Sequence, residues 1–272
     1  MKLVDTMCIH EPSYFAHVPQ LERGSIGPND VVLYTDTSIM NIHSCKKRIA
    51  LLLESPEYHK IFYDYIATHH HLFDIVLTFD KSLLDRGQNF RLNLLGTTWI
   101  HETYRKIWPK HRLCSMIVSN KVETSGHRLR HDIMHTIKGV DVYGGQGIPL
   151  SFTTTRAFTQ EHTPCHPSNQ KYLAHKEYCF SIVIENCKQD YYFTEKLIDC
   201  FLCGTIPLYY GCPSIGNFFN MNGILTFNTM KECIDKVDTL TPALYEEKMD
   251  AVRDNFERAH TYLNFHLALE KN

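Results

Sequence analysis

The chain has 272 residues, 43% of them hydrophobic and 21% charged, which suits one large globular domain or two smaller ones and excludes a disordered or low-complexity composition. A formal net charge of −2 removes the electrostatic case for a nucleic-acid protein, although a local basic cleft can still hold a phosphate. No run approaches the roughly 20 apolar residues that span a bilayer, and residues 1–10 lack the apolar centre of a signal peptide, so a soluble, cytoplasmic protein without a transmembrane segment is expected.

The predicted elements alternate. Residues 30–35 hold the strand-like VVLYT after a turn-prone Gly-Pro-Asn-Asp. Residues 48–53 form an apolar strand candidate that ends at Glu54-Ser55-Pro56. Pro56 restricts Ser55 to extended or turn geometry, so Glu54 is held at a strand exit, either facing a cleft or as an acid at a helix start. A helix over residues 58–67, a strand over 73–79 and a short helix or turn over 81–86 follow, then a loop over 93–100 with Gly96 and Trp99. The polar break at 109–112 sets the expected domain boundary, giving domains 1–112 and 113–272.

The second half repeats the pattern. A strand over 113–119 leads through a polar loop to a basic helix around 128–137 and a strand over 140–143 ending at Gly144-Gly145. Arg128 and Arg130 could meet a phosphate there, or simply form a solvated helix face; neither a GxGxxG nor a P-loop signature is present. Residues 152–170 read as an extended crossover or loop. Beyond 220, a strand over 223–227 and helices over 229–237, 242–256 and 258–269 are expected, the last packing back across the body.

The chemistry concentrates in residues 179–220. Two apolar runs, 180–184 and 205–210, read as buried strands, and the helix between them, 193–202, has Thr194 as N-cap and acidic Glu195 in its first turn. Strand, polar loop, helix and strand make a βαβ unit, whose polar residues gather where such folds bind ligands. Glu185, Asn186, Tyr191, Tyr192, Glu195 and Lys196 are therefore the first candidates. Ten cysteines are scattered, and only Cys200 and Cys203 form a CxxC, inside the predicted helix and with no second pair to complete a zinc tetrad. The alternating strands and helices favour two Rossmann-like α/β halves.

The stretch FSIVIENCKQDYYFTEKLIDCFLCGTIPLYYGCPSI, over residues 180–215, resembles the donor-binding signature of the α-1,3/1,4-fucosyltransferases, glycosyltransferase family 10. Weaker agreement comes, in the family's order, from LLLESP, FDIVLTFD, LLGTTWI, CSMIVSNK and GVDVYGG, and the resemblance covers roughly residues 47–265. It implies a GT-B-like arrangement of two facing Rossmann-like domains, the N-terminal acceptor-side one shortened, the C-terminal one binding the GDP-sugar. It also implies an inverting enzyme that transfers L-fucose from GDP-β-L-fucose to a glycan hydroxyl, α-1,3 to N-acetylglucosamine.

By the same resemblance Glu54 is the general base, and Arg128 (or Arg130) and Lys196 contact the diphosphate. Tyr192 and Glu195 shape the guanosine and fucose pocket, and Asn186 with Glu185 lines the donor site. No metal-binding DxD is present, so no metal or other essential cofactor is assigned. The partners implied are a nucleotide sugar and a glycan acceptor. Two other readings fit the same residues: a GT-B transferase for another nucleotide sugar, and a non-catalytic carbohydrate-binding protein.

Overall fold

The computed structural model describes residues 1–4, 21–144, 155–157, 169–264 and 266–269, with backbone alone for 155–157. The chain divides into two compact units, the first comprising Met1–Leu95, Gln189–Tyr192 and Phe265–Asn272, the second Gly96–Lys188 and Phe193–Asn264.

In the first unit β1 (Lys2–Val4), β2 (Val31–Thr35), β3 (Lys47–Leu51), β4 (Ile75–Thr78) and β5 (Phe90–Leu92) form one sheet in chain order. Every pairing is parallel, with Leu33 opposite Ile49 and Leu51 opposite Leu77. Parallel strands carry crossovers on their faces, which is why β4 is buried along its whole length. Helix α1 (Pro56–His69) packs Phe62, Tyr63 and Ile66 into the core with Tyr34, Ala50 and Val76, while α2 (Lys81–Leu84) is a single turn capped by the Asp80 carboxylate.

The second unit is built from β6 (Arg112–Val118), β7 (Asp141–Gly144), β8 (Thr155–Ala157), β9 (Tyr178–Ile184), β10 (Ile206–Tyr210) and β11 (Leu225–Thr226). Their order is β11-β10-β9-β6-β7-β8, again all parallel. The chain therefore builds outward in one direction from β6 and in the other from β9. The crevice at their carboxyl ends is the topological switch point, where open α/β sheets bind ligands. Helices α3 (Ser125–Thr136) and α4 (Glu195–Leu202) follow β6 and β9 respectively; α5 (Met230–Val237), α6 (Pro242–Glu247) and α7 (Met249–Ala259) complete the unit.

Two expectations change. The predicted helix over 242–256 is two helices, because each has its own anchor: the Tyr245 hydroxyl donates to Gly204 O (2.7 Å), and Asn255 Oδ1 receives Asn220 N (2.7 Å), with Lys248 at φ −98°, ψ 8° taking up the turn between them. The terminal helix over 258–269 is replaced by a 3₁₀ turn, His260–Tyr262, and residues 266–269 are not helical. Their backbone groups take side-chain partners instead: Ala268 N donates to Asn93 Oδ1 (2.9 Å), and Arg91 Nη1 donates to Leu269 O. Strands β1 and β5 escape prediction because three residues carry too little alternation to register. The expected crossover over 152–170 lies outside the described residues apart from β8 and residues 169–170, as do Gly145, Cys8 and Cys165. No helix among the described residues is long and apolar enough to cross a membrane.

Candidate functional site

Strand β9 delivers Glu185 and Asn186 to the switch point of the second unit. Glu185 N continues the ladder to Tyr210 O (2.8 Å), so its position is set by the sheet. Its side chain is fully buried and turns to the start of α4: one carboxylate oxygen accepts Thr194 N (2.8 Å), the other the Thr194 hydroxyl (2.7 Å). Thr194 in turn caps α4 by accepting Lys196 N (3.4 Å). A buried carboxylate thus orders the helix end at which Glu195 and Lys196 emerge.

Helix α3 reaches the same place from β6. Thr124 is its N-cap, and Gly126 N donates to Asn186 O (3.0 Å). Only glycine fits there: a Cβ on residue 126 would lie 1.9 Å from Glu185 O and 2.7 Å from Asn186 O. Gly211, at the end of β10, is constrained by the same residue, since a Cβ there would sit 2.6 Å from Glu185 Cγ and 2.4 Å from the Tyr209 hydroxyl. Arg130, one turn along α3, is buried, with Nε on Ile184 O (3.1 Å) and Nη2 on Asn186 Oδ1 (2.8 Å). Arg128 lies on the exposed side of the helix, where Nη1 donates to Glu123 O (3.0 Å) and Val122 O (3.3 Å). Of the two candidate arginines, Arg130 is the one brought to the cluster.

Two helix N-termini, a guanidinium and an ammonium therefore converge on one strand end. Together they concentrate positive potential there, the positive ends of two helix dipoles adding to the two cations. The field is felt by His127, which burial first, and then Arg130 and Lys196, press down to about 4. The carboxylates respond individually. Burial raises Glu185 against the pull of Lys196, whose Nζ is 3.7 Å away. Burial acts on Glu195 too, but Lys196 (3.3 Å) and Lys171 (3.8 Å) outweigh it and bring the carboxyl to about 2. Asp199, one turn further along α4, is pushed up to about 6 by burial; Oδ1 accepts the Thr98 hydroxyl (2.6 Å) and Trp99 N (2.8 Å), whereas Oδ2 has no hydrogen-bond partner among the described residues.

Lys171, Thr98, Trp99, Asp199, His127 and Gly126 escape sequence reasoning. Asp199 and Cys200 are as buried as the apolar residues of α4, Leu197, Ile198, Phe201 and Leu202, because the helix packs on β9, β10 and α7 together. Only Gly126 carries a usable signal, sitting two residues after a Thr that caps a helix. Burial pushes Cys203 up to about 12 and Cys200 well above its ordinary value, so the CxxC is a pair of protonated core thiols.

In the first unit, Glu54 is half-buried between β3 and α1, and its backbone carbonyl accepts the Tyr63 hydroxyl (2.7 Å). Ser55 is the N-cap and Pro56 opens the helix, the arrangement in which the missing proline N–H costs nothing. Beside them α1 kinks at His59 (φ −128°, ψ 45°), whose Nδ1 is buried with no hydrogen-bond partner among the described residues. Burial lowers His59 while Glu54 raises it, so the two side chains sense each other. The loop residues Gln189–Tyr192 cluster with this unit. Gln189 Nε2 donates to Asp80 Oδ2 (2.7 Å), the buried Tyr192 ring lies 4.8 Å from Phe79, and Tyr191 adopts a left-handed φ of 62°, strained for a residue with a side chain. Hence Arg130, Glu185, Asn186, Glu195 and Lys196 form one constellation in the second unit, while Glu54 and Tyr192 belong to the first.

No family model matches the chain. Over 62 residues it is 34% identical to an α-(1,3)-fucosyltransferase of Helicobacter pylori, FucT, a stretch that is 23% of this chain and only 13% of that enzyme. The structure resembles an α1,3-fucosyltransferase with GDP (TM-score 0.54, 17% identity, 89% of this chain and 79% of that one). It also resembles an α1,3-fucosyltransferase with GDP-fucose (0.53, 18%, 93% and 83%) and Anabaena HepE in complex with UDP-glucose (0.61, 10%, 86% and 75%). The fold is GT-B-like. It comprises two Rossmann-like units with parallel sheets, as in these structures.

Proposed function

We propose that the protein is an inverting glycosyltransferase that transfers L-fucose from GDP-β-L-fucose to a glycan hydroxyl, α-1,3 to N-acetylglucosamine. The observation that carries this reading is the convergence of Arg130, Lys196 and the starts of α3 and α4 on the end of β9, an arrangement made for a diphosphate. The local identity to FucT and the likeness to a GDP-fucose complex support guanosine diphosphate as its source.

In this mechanism the Glu54 carboxylate takes the proton of the acceptor hydroxyl as its oxygen attacks the anomeric carbon of fucose. The new C–O bond forms on the face opposite the phosphate, and the old C–O bond breaks with its electron pair leaving on GDP. A β-linked donor so gives an α-linked product. Arg130 and Lys196 stabilise the charge that grows on the departing phosphate oxygen, where preorganised positive groups are most effective. Glu195, kept ionised by its two ammoniums, accepts hydroxyl hydrogens of the nucleotide sugar. Glu185 acts indirectly, by ordering Thr194 and the start of α4.

The likeness to HepE with UDP-glucose favours one second reading, a transferase for a different nucleotide sugar. Thermal-shift titration with GDP-fucose, GDP-mannose, UDP-glucose and UDP-N-acetylglucosamine separates the two. Stabilisation by GDP-fucose is expected; stabilisation confined to UDP-sugars would transfer the assignment to the second reading.

A further inference from the structure

We infer that Lys171, which lies in none of the recognisable motifs, is a positioning residue of the donor site that fixes the orientation of the Glu195 carboxylate. The inference rests on the donor-site reading above. Lys171 opens the 3₁₀ turn Lys171–Ala174 just before β9, its backbone N–H held by Asn169 Oδ1 (2.9 Å). The side chain is only 16% exposed, and its ammonium lies 3.9 Å from the centre of the Trp99 ring and 3.8 Å from Glu195 Oε1.

A buried ammonium is costly unless it is paired, and burial does lower Lys171 against the attraction of Glu195 and Asp199. What holds it is a relay of fixed groups. Asp199 accepts Trp99 N (2.8 Å), Trp99 presents its ring face to the ammonium, and the ammonium meets Glu195. Lys196 addresses the same oxygen, Oε1, at 3.3 Å. Both cations therefore draw on one oxygen, and with the Thr194 side chain, which also bonds to the carboxylate, they fix the orientation in which Glu195 would meet a hydroxyl of a nucleotide sugar. Lys196 stands on the same helix turn as Glu195 and travels with it. Lys171 reaches it from a different segment of the chain, and so restrains Glu195 against the sheet.

The charged groups facing Glu195 are Lys196 and Asp199 from α4, Lys171 from the 3₁₀ turn and Glu185 from the end of β9. Removing Lys171 takes away one of the two cations that hold Glu195 down, so its carboxyl rises from about 2 toward the ordinary carboxylate range. A displaced contact of this kind costs on the order of 10- to 100-fold.

The test is calorimetric titration of the full chain with GDP-β-L-fucose at pH 7.5 and pH 5. Lys171→Met and the softer Lys171→Gln are expected to weaken binding about 10- to 100-fold, and Lys171→Arg, which keeps the cation, less than about threefold. The Lys171→Met/Glu195→Gln double variant should bind no more weakly than Glu195→Gln alone, because the lysine acts through the carboxylate. Lys171→Met should also lose further affinity at pH 5, a loss absent from the double variant. Wild-type affinity in Lys171→Met and Lys171→Gln, or effects of Lys171→Met and Glu195→Gln that multiply, would overturn the positioning role alone. Wild-type affinity in Glu195→Gln would overturn the donor-site reading and the positioning role with it.

Discussion

Gly126→Ala sets two well-defined effects against each other. In the first turn of α3 alanine is the better helix former, by about 1 kcal/mol, so propensity alone predicts stabilisation. Packing predicts the reverse. The new Cβ would lie 1.9 Å from Glu185 O and 2.7 Å from Asn186 O, and these are backbone atoms at the end of a central strand, which cannot swing away as a side-chain tip would. The helix must retreat, losing the bond from Gly126 N to Asn186 O (3.0 Å) at a cost of about 1–3 kcal/mol, with a further ~1–3 kcal/mol for overpacking. Net destabilisation is therefore about 1–5 kcal/mol, of which 3 corresponds to a fall of roughly 6–12 °C in Tm. The retreat also carries Arg130 off Asn186 Oδ1, so affinity for GDP-fucose should fall about 10- to 100-fold in the folded variant. Thermal denaturation and calorimetric titration read the two effects separately. A Gly126→Ala protein that melts at or above the wild-type temperature and binds GDP-fucose normally would refute the proposed junction of α3 with β9.

Arg130→Ala should weaken GDP-fucose binding by about 10- to 100-fold and Arg128→Ala by less than about threefold, measured by the same titration, because only Arg130 reaches Asn186. Glu54→Gln should abolish most transfer while leaving GDP-fucose affinity within about twofold; unchanged transfer at limiting acceptor would remove Glu54 from the role of base. For Asp199 the sign follows from a folded-state value raised to about 6 above an unfolded value of ~3.9. The contribution is fully present below the unfolded value and lost as pH rises through 6, about 3 kcal/mol between the limits. Chemical denaturation of Asp199→Asn at pH 4 and pH 7 should therefore show a smaller loss of stability across that range than the wild type; an identical loss would exclude Asp199 as its source.

The fold was legible where sequence carries a long signal. Strand β9 and helix α4 announce themselves because seven consecutive buried residues are followed by a threonine cap and a run of buried apolar positions. The acidic and basic residues after them were visible as chemistry for the same reason: polar side chains at a strand exit are conspicuous against an apolar run. What remained hidden depends on contacts distant in sequence. Lys171 meets Glu195 across the whole of β9, and Asp199 meets Thr98 from 101 positions away, so no local spacing links them. The choice between Arg128 and Arg130 was equally invisible, since both lie on one helix and only the β9 end decides which is buried. The break between α6 and α7 was missed because Tyr245 and Asn255 answer to different anchors, Gly204 and Asn220, that the helical periodicity does not encode.

Fucose transfer with inversion is the reaction proposed for the constellation at the end of β9. Incubation of the full chain with GDP-β-L-fucose and a panel of N-acetylglucosamine-containing glycans, with the product linkage read by NMR, tests it most directly. Release of GDP and an α-linked fucose on the 3-hydroxyl of N-acetylglucosamine are expected; a β-linked product, or transfer from a UDP-sugar with none from GDP-fucose, would overturn the assignment.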